Sequence, residues 1–317
     1  LPLAEKALIA GIRRAAKTNP GVLTGIGDDC AVLRIPNGHE ALVTTDFSLE
    51  GIHFRRDWHS PESAGHRCLT RGLSDIAAMG GKPIAAFLSL ALPRDLPQKW
   101  VNGFMQGLLA LADRFGVTLA GGDTAESPGG VLADIVVLGS APKGKAVLRS
   151  RARPGDNIYV SGELGGSAAT LDRLVQEPKR KLRPRDFPRH FFPEPRLALG
   201  RFLGEKELVS AMVDLSDGLS TDLSHVCEES GAGAEILADA IPLATVARHK
   251  VPLDSALHGG EDYELLFTAP AGKRIPRQVA GVPLSLIGRI TRDKRVMFIA
   301  DKHARRELKP AGWQHLT

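Results

Sequence analysis

Apolar residues recur along the chain in two rhythms, and the alternation between them predicts the elements. Ser63–Met79 carries apolar residues at 64, 68, 69, 73, 76 and 77, the spacing of one helix face, and Gly80-Gly81 ends the run. Pro97–Phe115 is a longer helical stretch stopped by Gly116. Ala41–Thr45, Ala85–Leu92, Val117–Ala120 and Val131–Gly139 alternate or run apolar, as strands do. The first of these leads into Asp46, and the third ends on Gly121-Gly122-Asp123. The N-terminal LPLAEKALIAGIRRAAK interleaves charges with apolar positions, so an amphipathic helix is expected there and not a secretion signal.

A turn signal at Arg151–Asp156 divides this half from the next and predicts domains at 1–150 and 151–317. Beyond it come a strand at Asn157–Ser161 and a glycine-rich lead, Gly162–Ser167, into a helix. The strand Met212–Asp214, the helix Leu219–Glu229 and the strands Ala234–Leu237, Glu264–Thr268, Ser285–Arg289 and Val296–Ile299 follow. The expected architecture is two packed α+β domains, and 317 residues is a natural length for two cores.

Composition narrows the class. Hydrophobic residues make up 43% and charged residues 24%, as in globular proteins. The longest apolar run, Ile84–Leu92, falls short of the roughly 20 residues a membrane helix needs. Cys30, Cys68 and Cys227 form no paired motif, which predicts reduced thiols in a cytoplasmic protein without a zinc site. The net charge of +5 is concentrated at 178–190, where Lys179, Arg180, Lys181, Arg183, Arg185 and Arg189 stand among three prolines. This reads as a surface loop, either simply solvated or a polyanion-binding patch. Phe187, Phe191 and Phe192 are too few for a base-stacking platform, so nucleic acid is not the expected partner.

The chemistry lies in scattered acids. Asp28 and Asp29 (GIGDDCAVL), Asp46 (TTDFSLEGIHF), Asp123 (GGDTAES), and Asp214 and Asp217 (DLSDGLSTDL) each sit at a strand end beside Gly, Ser or Thr. Asp75 (LSDIAAMGG) falls near a helix end. Any one of them is equally a helix cap or a turn residue, with Asp217 a candidate cap and Asp222 a candidate solvent-facing side chain. As a converging set they differ, because like charges ~4 Å apart repel by about 4 kcal/mol at an effective dielectric of 20. Protons or cations must relieve that, and hard oxygen ligands select Mg²⁺, Ca²⁺ or Mn²⁺. A P-loop, a dinucleotide fingerprint and the protein-kinase motifs are missing, so a nucleotide would be held by metal bridges and glycine turns such as Gly121-Gly122.

The ordered set GIGDDCAVL, TTDFSLEGIHF, LSDIAAMGGKP, GGDTAESP, DLSDGL and HGGEDYELLFT, with Gly312-Trp313, resembles the thiamine-monophosphate kinases. These belong to the superfamily of aminoimidazole ribonucleotide synthetase. The resemblance implies a PurM-like fold, in which the N-terminal sheets of two subunits pair into a barrel and the C-terminal domain is a mixed α/β sandwich. A homodimer follows from it, as do ATP and thiamine monophosphate as substrates and several Mg²⁺ ions. It implies Mg²⁺ ligation by Asp29, Thr44, Thr45, Asp46, Asp75, Asp123, Asp214 and Asp217. Gly122, Asp123, Arg149 and Ser216 would contact ATP, and His53, Glu261 and Trp313 would surround the thiamine phosphate. Where the family commonly continues Thr-Arg after Gly-Gly-Asp-Thr, this chain reads Ala125-Glu126.

The activity so implied is in-line phosphoryl transfer to an acceptor that is already an ionised phosphate, which needs positioning and charge neutralisation rather than a strong base. Two alternatives stand beside it. One is another ATP-using superfamily member resembling aminoimidazole ribonucleotide synthetase, against which GGEDYEL argues. The other is a non-catalytic nucleotide- or nucleic-acid-binding protein, against which the acids in both halves argue.

Overall fold

The two rhythms fold into two units, one of Leu1–Ile76 with Lys82–Gly144 and one of Ala77–Gly81 with Lys145–Thr317. The structure, a computed structural model, describes residues 5–27, 29–178, 181–294, 296–302 and 304–314. Asp28, Lys179 and Arg180 therefore lie outside the described residues.

The first unit runs α1 (Glu5–Ala15), β1 (Val22–Thr24), β2 (Val32–Leu33), β3 (His39–Leu49), α2 (Pro61–Ala78), β4 (Lys82–Pro93), α3 (Gln98–Phe115), β5 (Thr118–Ser127) and β6 (Leu132–Pro142). Its four long strands form one sheet in the order β3-β6-β4-β5. β4 and β5 are parallel, with α3 as the crossover between them, and the other pairs are antiparallel. A Cβ at Gly65 would lie 1.9 Å from the Phe104 carbonyl oxygen, and one at Gly107 1.9 Å from that of Glu62. Only glycine permits such backbone contact, and it sets how closely α2 and α3 cross. Ile135 and Val137 are buried, whereas the open side of β3 leaves Val43 and Phe47 65% and 57% exposed.

Two expected strand ends move. β3 continues past Asp46 because its ladder with β6 is unbroken from His39↔Pro142 to Leu49↔Leu132. Asp46 is thus a strand residue and not the start of a turn. β5 likewise passes through Gly121-Gly122-Asp123, with Ala120 skipped as a bulge between Leu119↔Ala86 and Gly121↔Phe87. The glycines serve the sheet itself. A Cβ at Gly122, whose φ is 147°, would sit 1.9 Å from the Leu88 carbonyl oxygen.

The second unit contains β7 (Asn157–Ser161), α4 (Gly166–Gln176), α5 (Pro188–Phe191), α6 (Leu197–Glu205), β8 (Ala211–Asp214), α7 (Leu219–Ser230) and β9 (Gly233–Leu237). It continues with β10 (Thr245–Val246), β11 (His249–Lys250), α8 (Leu253–His258), β12 (Leu265–Ala269), β13 (Gln278–Val279), β14 (Val282–Thr291), β15 (Met297–Ala300) and β16 (Arg305–Glu307). The main sheet is ordered β16-β15-β9-β14-β7-β12-β8, with β13 on β14, and is antiparallel except at β15–β9. Leu219, Leu223 and Val226 of α7 share one apolar cluster with Ile158, Val160, Val213 and Leu266 of the sheet. Glu264, just before β12, is fully buried, paired with Arg196 and accepting a hydrogen bond from Ser161 at 2.5 Å.

The basic segment is less loop-like than its sequence suggests. Pro184–Asp186 forms a 3-10 turn and α5 follows, each begun by a proline whose missing N–H costs nothing at a helix start. His190 and Phe191 are buried, and Arg189 pairs with Glu163 at 3.0 Å. Among the described residues no helix is long and apolar enough to cross a membrane.

Candidate active site

In the first unit, strand alternation sorts the predicted ligands. Thr44 and Asp46 lie on the half-buried side of β3 and meet Asp75 of α2, to whose carboxylate the Thr44 hydroxyl donates a hydrogen bond. Asp46 and Asp75 face each other closely enough that each carboxylate disfavours the charge of the other. Burial first, and then the charge of Asp75, pushes Asp46 up to about 7, partly offset by the Arg71 guanidinium. The Thr45 side chain points to the other face, where it donates to Asp134 of β6 at 2.7 Å. Asp134 also raises Asp46 through its charge. Asp134 and Arg71 were not singled out from sequence. The only signal for Asp134 is an acid inside an otherwise apolar strand, Leu132–Leu138.

A cavity of about 650 Å³ opens in the same unit. Ile9 and Ile12 of α1, Ile26 and Phe87 supply apolar wall, and Asp29, Gly122, Asp123 and Thr124 supply the polar part. Asp29 and Asp123 are both exposed there. Asp123 accepts the backbone N–H of Thr124 at 2.8 Å, which fixes its rotamer. Ala125 and Glu126 are exposed further along β5.

His53 follows β3 in a short turn. The Leu49 N–H donates to its Nδ1 at 3.0 Å, which leaves the ring proton on Nε2, and Arg67 donates to its carbonyl at 3.2 Å.

In the second unit, β8 delivers a buried Asp214 to a loop that carries Ser216 and Asp217 into α7. Asp222, a candidate solvent-facing side chain from sequence, is instead 2% exposed and accepts the N–H groups of Asp217 (3.2 Å) and Gly218 (3.0 Å). It does so because Gly218, with a φ of 115°, turns those amides back over the first turn of the helix. Burial, then Asp217, pushes Asp222 up to about 7, against the pull of those two amides and of Arg149. The Arg149 carbonyl is held by Ser230 at 2.8 Å.

Glu261 and Tyr263 have φ values of 65° and 50°, so the GGEDYE segment is strained where Glu261 is presented. The Glu261 N–H donates to the Ser216 carbonyl at 2.8 Å, and the Trp313 N–H to that of Asp217 at 3.0 Å. Trp313 is 50% exposed. Among the described residues no three His, Cys, Asp or Glu side chains form a metal cage. The acids come in pairs, Asp46 with Asp75 and Asp217 with Asp222.

Comparison with known proteins completes the picture. Residues 27–141 match the family AIR synthase related protein, N-terminal domain, and residues 153–301 match its C-terminal domain. The thiamine-monophosphate kinase of Salmonella typhimurium is 39% identical over 91% of this chain and 90% of its own length. The crystal structure of thiamine-monophosphate kinase from Stenotrophomonas maltophilia is 35% identical with a TM-score of 0.82, covering 95% of this chain and 98% of that one. A structure of AaThiL complexed with AMPPCP and TMP is 31% identical with a TM-score of 0.78, covering 99% and 97%.

Proposed function

This chain belongs to the thiamine-monophosphate kinase family, and on that premise we propose that it transfers the γ-phosphoryl group of ATP to the phosphate of thiamine monophosphate, giving thiamine pyrophosphate and ADP. The observation that carries the reading is the near end-to-end match to kinases of that activity. A solved relative that holds an ATP analogue together with TMP supports the two substrates. The acceptor is an ionised phosphate oxygen, so it attacks phosphorus without surrendering a proton to a strong base. The bond between the β,γ-bridging oxygen and the γ-phosphorus breaks as the new P–O bond forms, and ADP leaves.

The acid pairs fit a divalent cation. Burial and the charge of Asp75 both disfavour ionised Asp46, and a cation bound between the two would relieve that repulsion. Mg²⁺ suits such sites, since it takes one or two carboxylates and completes its shell with water and phosphate oxygens. We assign its ligation to the side chains of Asp29, Thr44, Asp46, Asp75 and Asp123 in the first unit and of Asp214 and Asp217 in the second, and to Thr45 through its backbone carbonyl, since its hydroxyl is turned to the opposite face onto Asp134. Bound there, Mg²⁺ would neutralise charge on the phosphates. Gly122, Asp123, Arg149 and Ser216 serve the nucleotide, whose base fits the apolar wall of Ile9, Ile12, Ile26 and Phe87. His53, with its proton on Nε2, donates to the acceptor phosphate. Trp313 offers a face to a cationic thiazolium, and Glu261 balances or hydrogen-bonds the ring system.

The chain is proposed to act as a homodimer in the cytoplasm. The exposed Val43 and Phe47 on edge strand β3 support pairing of that sheet with a second copy, and three free cysteines suit a reducing compartment. The test is Asp46→Asn and Asp214→Asn, assayed by ADP release with ATP, Mg²⁺ and thiamine monophosphate. Each should lose at least about 100-fold in turnover, the scale of one lost charge-stabilising group. Near-wild-type turnover at saturating Mg²⁺ in either variant would remove the metal assignment.

A further inference from the structure

The residues assigned to the acceptor do not hang from the second unit independently. Glu261 and Trp313 reach it in separate segments, yet each uses its own backbone N–H to grip one of two successive carbonyls, Ser216 at 2.8 Å and Asp217 at 3.0 Å. Those two residues are the ones whose side chains are assigned to nucleotide and metal. Behind Trp313 the C-terminal segment is tied to the first turn of α7. The Ala311 N–H donates to the Ser220 hydroxyl at 3.3 Å, and the Gly312 N–H to the Thr221 hydroxyl at 3.1 Å. Ser220 and Thr221 are 0% and 4% exposed, and the Ser220 oxygen also lies 2.8 Å from His258 Nδ1. Gly312 has no room for a side chain. A Cβ there would stand 2.1 Å from the Asp217 carbonyl oxygen and 2.7 Å from the Thr221 hydroxyl.

This strap decides where Trp313 stands. The indole is half-exposed, and the backbone that carries it is fixed at three consecutive residues. We infer that Thr221 and Gly312 are positioning residues for the acceptor. They seat Trp313 on the Ser216–Asp217 loop, so that the wall for the acceptor ring keeps its register with the side chains that hold the phosphates. The inference rests on the assignment of Trp313 to thiamine monophosphate and goes beyond it by naming what sets that residue's place.

Thr221→Val keeps the shape of the buried side chain and removes the acceptor for the Gly312 N–H, while Thr221→Ser keeps that acceptor. One lost hydrogen bond at a ligand-positioning point corresponds to about a fivefold to tenfold change in affinity. Steady-state kinetics of full-length Thr221→Val should therefore show KM for thiamine monophosphate raised by about that factor, with KM for ATP within about twofold. Thr221→Ser should restore the wild-type value. Gly312→Ala, which must displace the strap, should raise the same KM by more than tenfold, again on the hydrogen-bond scale. Melting temperatures identify any variant whose fold is lost, and the Val/Ser pair carries the test if Gly312→Ala is one of these.

Trp313→Ala is the control on the underlying assignment. If it leaves KM for thiamine monophosphate unchanged, the acceptor role of Trp313 fails and the inference fails with it. If Trp313→Ala raises that KM while Thr221→Val and Gly312→Ala do not, the assignment stands and the inference alone is overturned. A rise in KM for ATP equal to that for thiamine monophosphate in Thr221→Val also overturns it, because the residue would then support the loop and not the strap.

Discussion

Asp75→Asn should make the metal-free protein more stable and the enzyme nearly inactive. In the wild type Asp46 is raised from 3.8 to about 7, with burial the larger cause and Asp75 the second. A shift of that size corresponds to about 4 kcal/mol in total, and the smaller share belonging to Asp75 to roughly 1–2 kcal/mol. The sign follows from linkage. A carboxyl raised in the folded state stabilises below its unfolded pKa, and that contribution is lost as pH rises through about 7. At pH 8, above that value, Asp46 is ionised in the folded state against the charge of Asp75, so Asn at 75 should raise stability by ~1–2 kcal/mol. Its side-chain oxygen can still accept the Thr44 hydroxyl, so that bond need not be lost. At pH 5, below that value, folded Asp46 keeps its proton, and the gain should shrink to a fraction of this.

The assay is chemical denaturation in chelator at both pH values, beside kinase turnover at saturating Mg²⁺. Turnover should fall by about 100-fold or more if Asp75 supports charge neutralisation in the reaction. A variant that is less stable than wild type at pH 8, or one that keeps turnover within a few-fold, would refute the reasoning.

Three further outcomes are expected. Asp222→Asn should flatten the fall in metal-free stability between pH 4 and 7, because Asp222 is raised to about 7 by burial and Asp217; the gain at pH 8 is on the order of 4 kcal/mol at most, and an unchanged pH profile in denaturant melts would contradict it. Arg196→Ala strands the fully buried Glu264, which keeps Arg189 at 3.4 Å and Ser161 among the described residues; urea titration should show a loss of about 3 kcal/mol or more, and a loss below about 1 kcal/mol would show the pair to be dispensable. Native protein treated with a thiol reagent at pH 8 should be modified at exposed Cys30, while Cys68 and Cys227, each buried and raised to about 12, react only after unfolding; mass mapping of equal labelling at all three would overturn those environments.

Most of the element order was legible because it rests on local rhythm. α3 ends at Gly116 in a left-handed turn, as its glycine announced, and β7 spans the expected residues. Strand ends were less legible, since β3 and β5 are prolonged by partners far away in sequence. The candidate site was readable as a set of acids but not as an arrangement. Nothing local distinguishes Thr44, which meets Asp75, from Thr45, which a period of two turns to the opposite face. Asp134 and Arg71 become partners of Asp46 only through sheet register and helix packing. Asp222 looks like any helix-surface acid until the turn at Gly218 brings two amides onto it.

The central claim is tested most directly by following the γ-phosphoryl group itself. The purified protein is incubated with Mg²⁺, thiamine monophosphate and ATP labelled in its γ-phosphate, and the products are separated. The account predicts label in thiamine pyrophosphate, one equivalent for each ADP, with no transfer when thiamine or an aminoimidazole precursor replaces the acceptor. Label recovered as inorganic phosphate, or ADP formed without thiamine pyrophosphate, would contradict it.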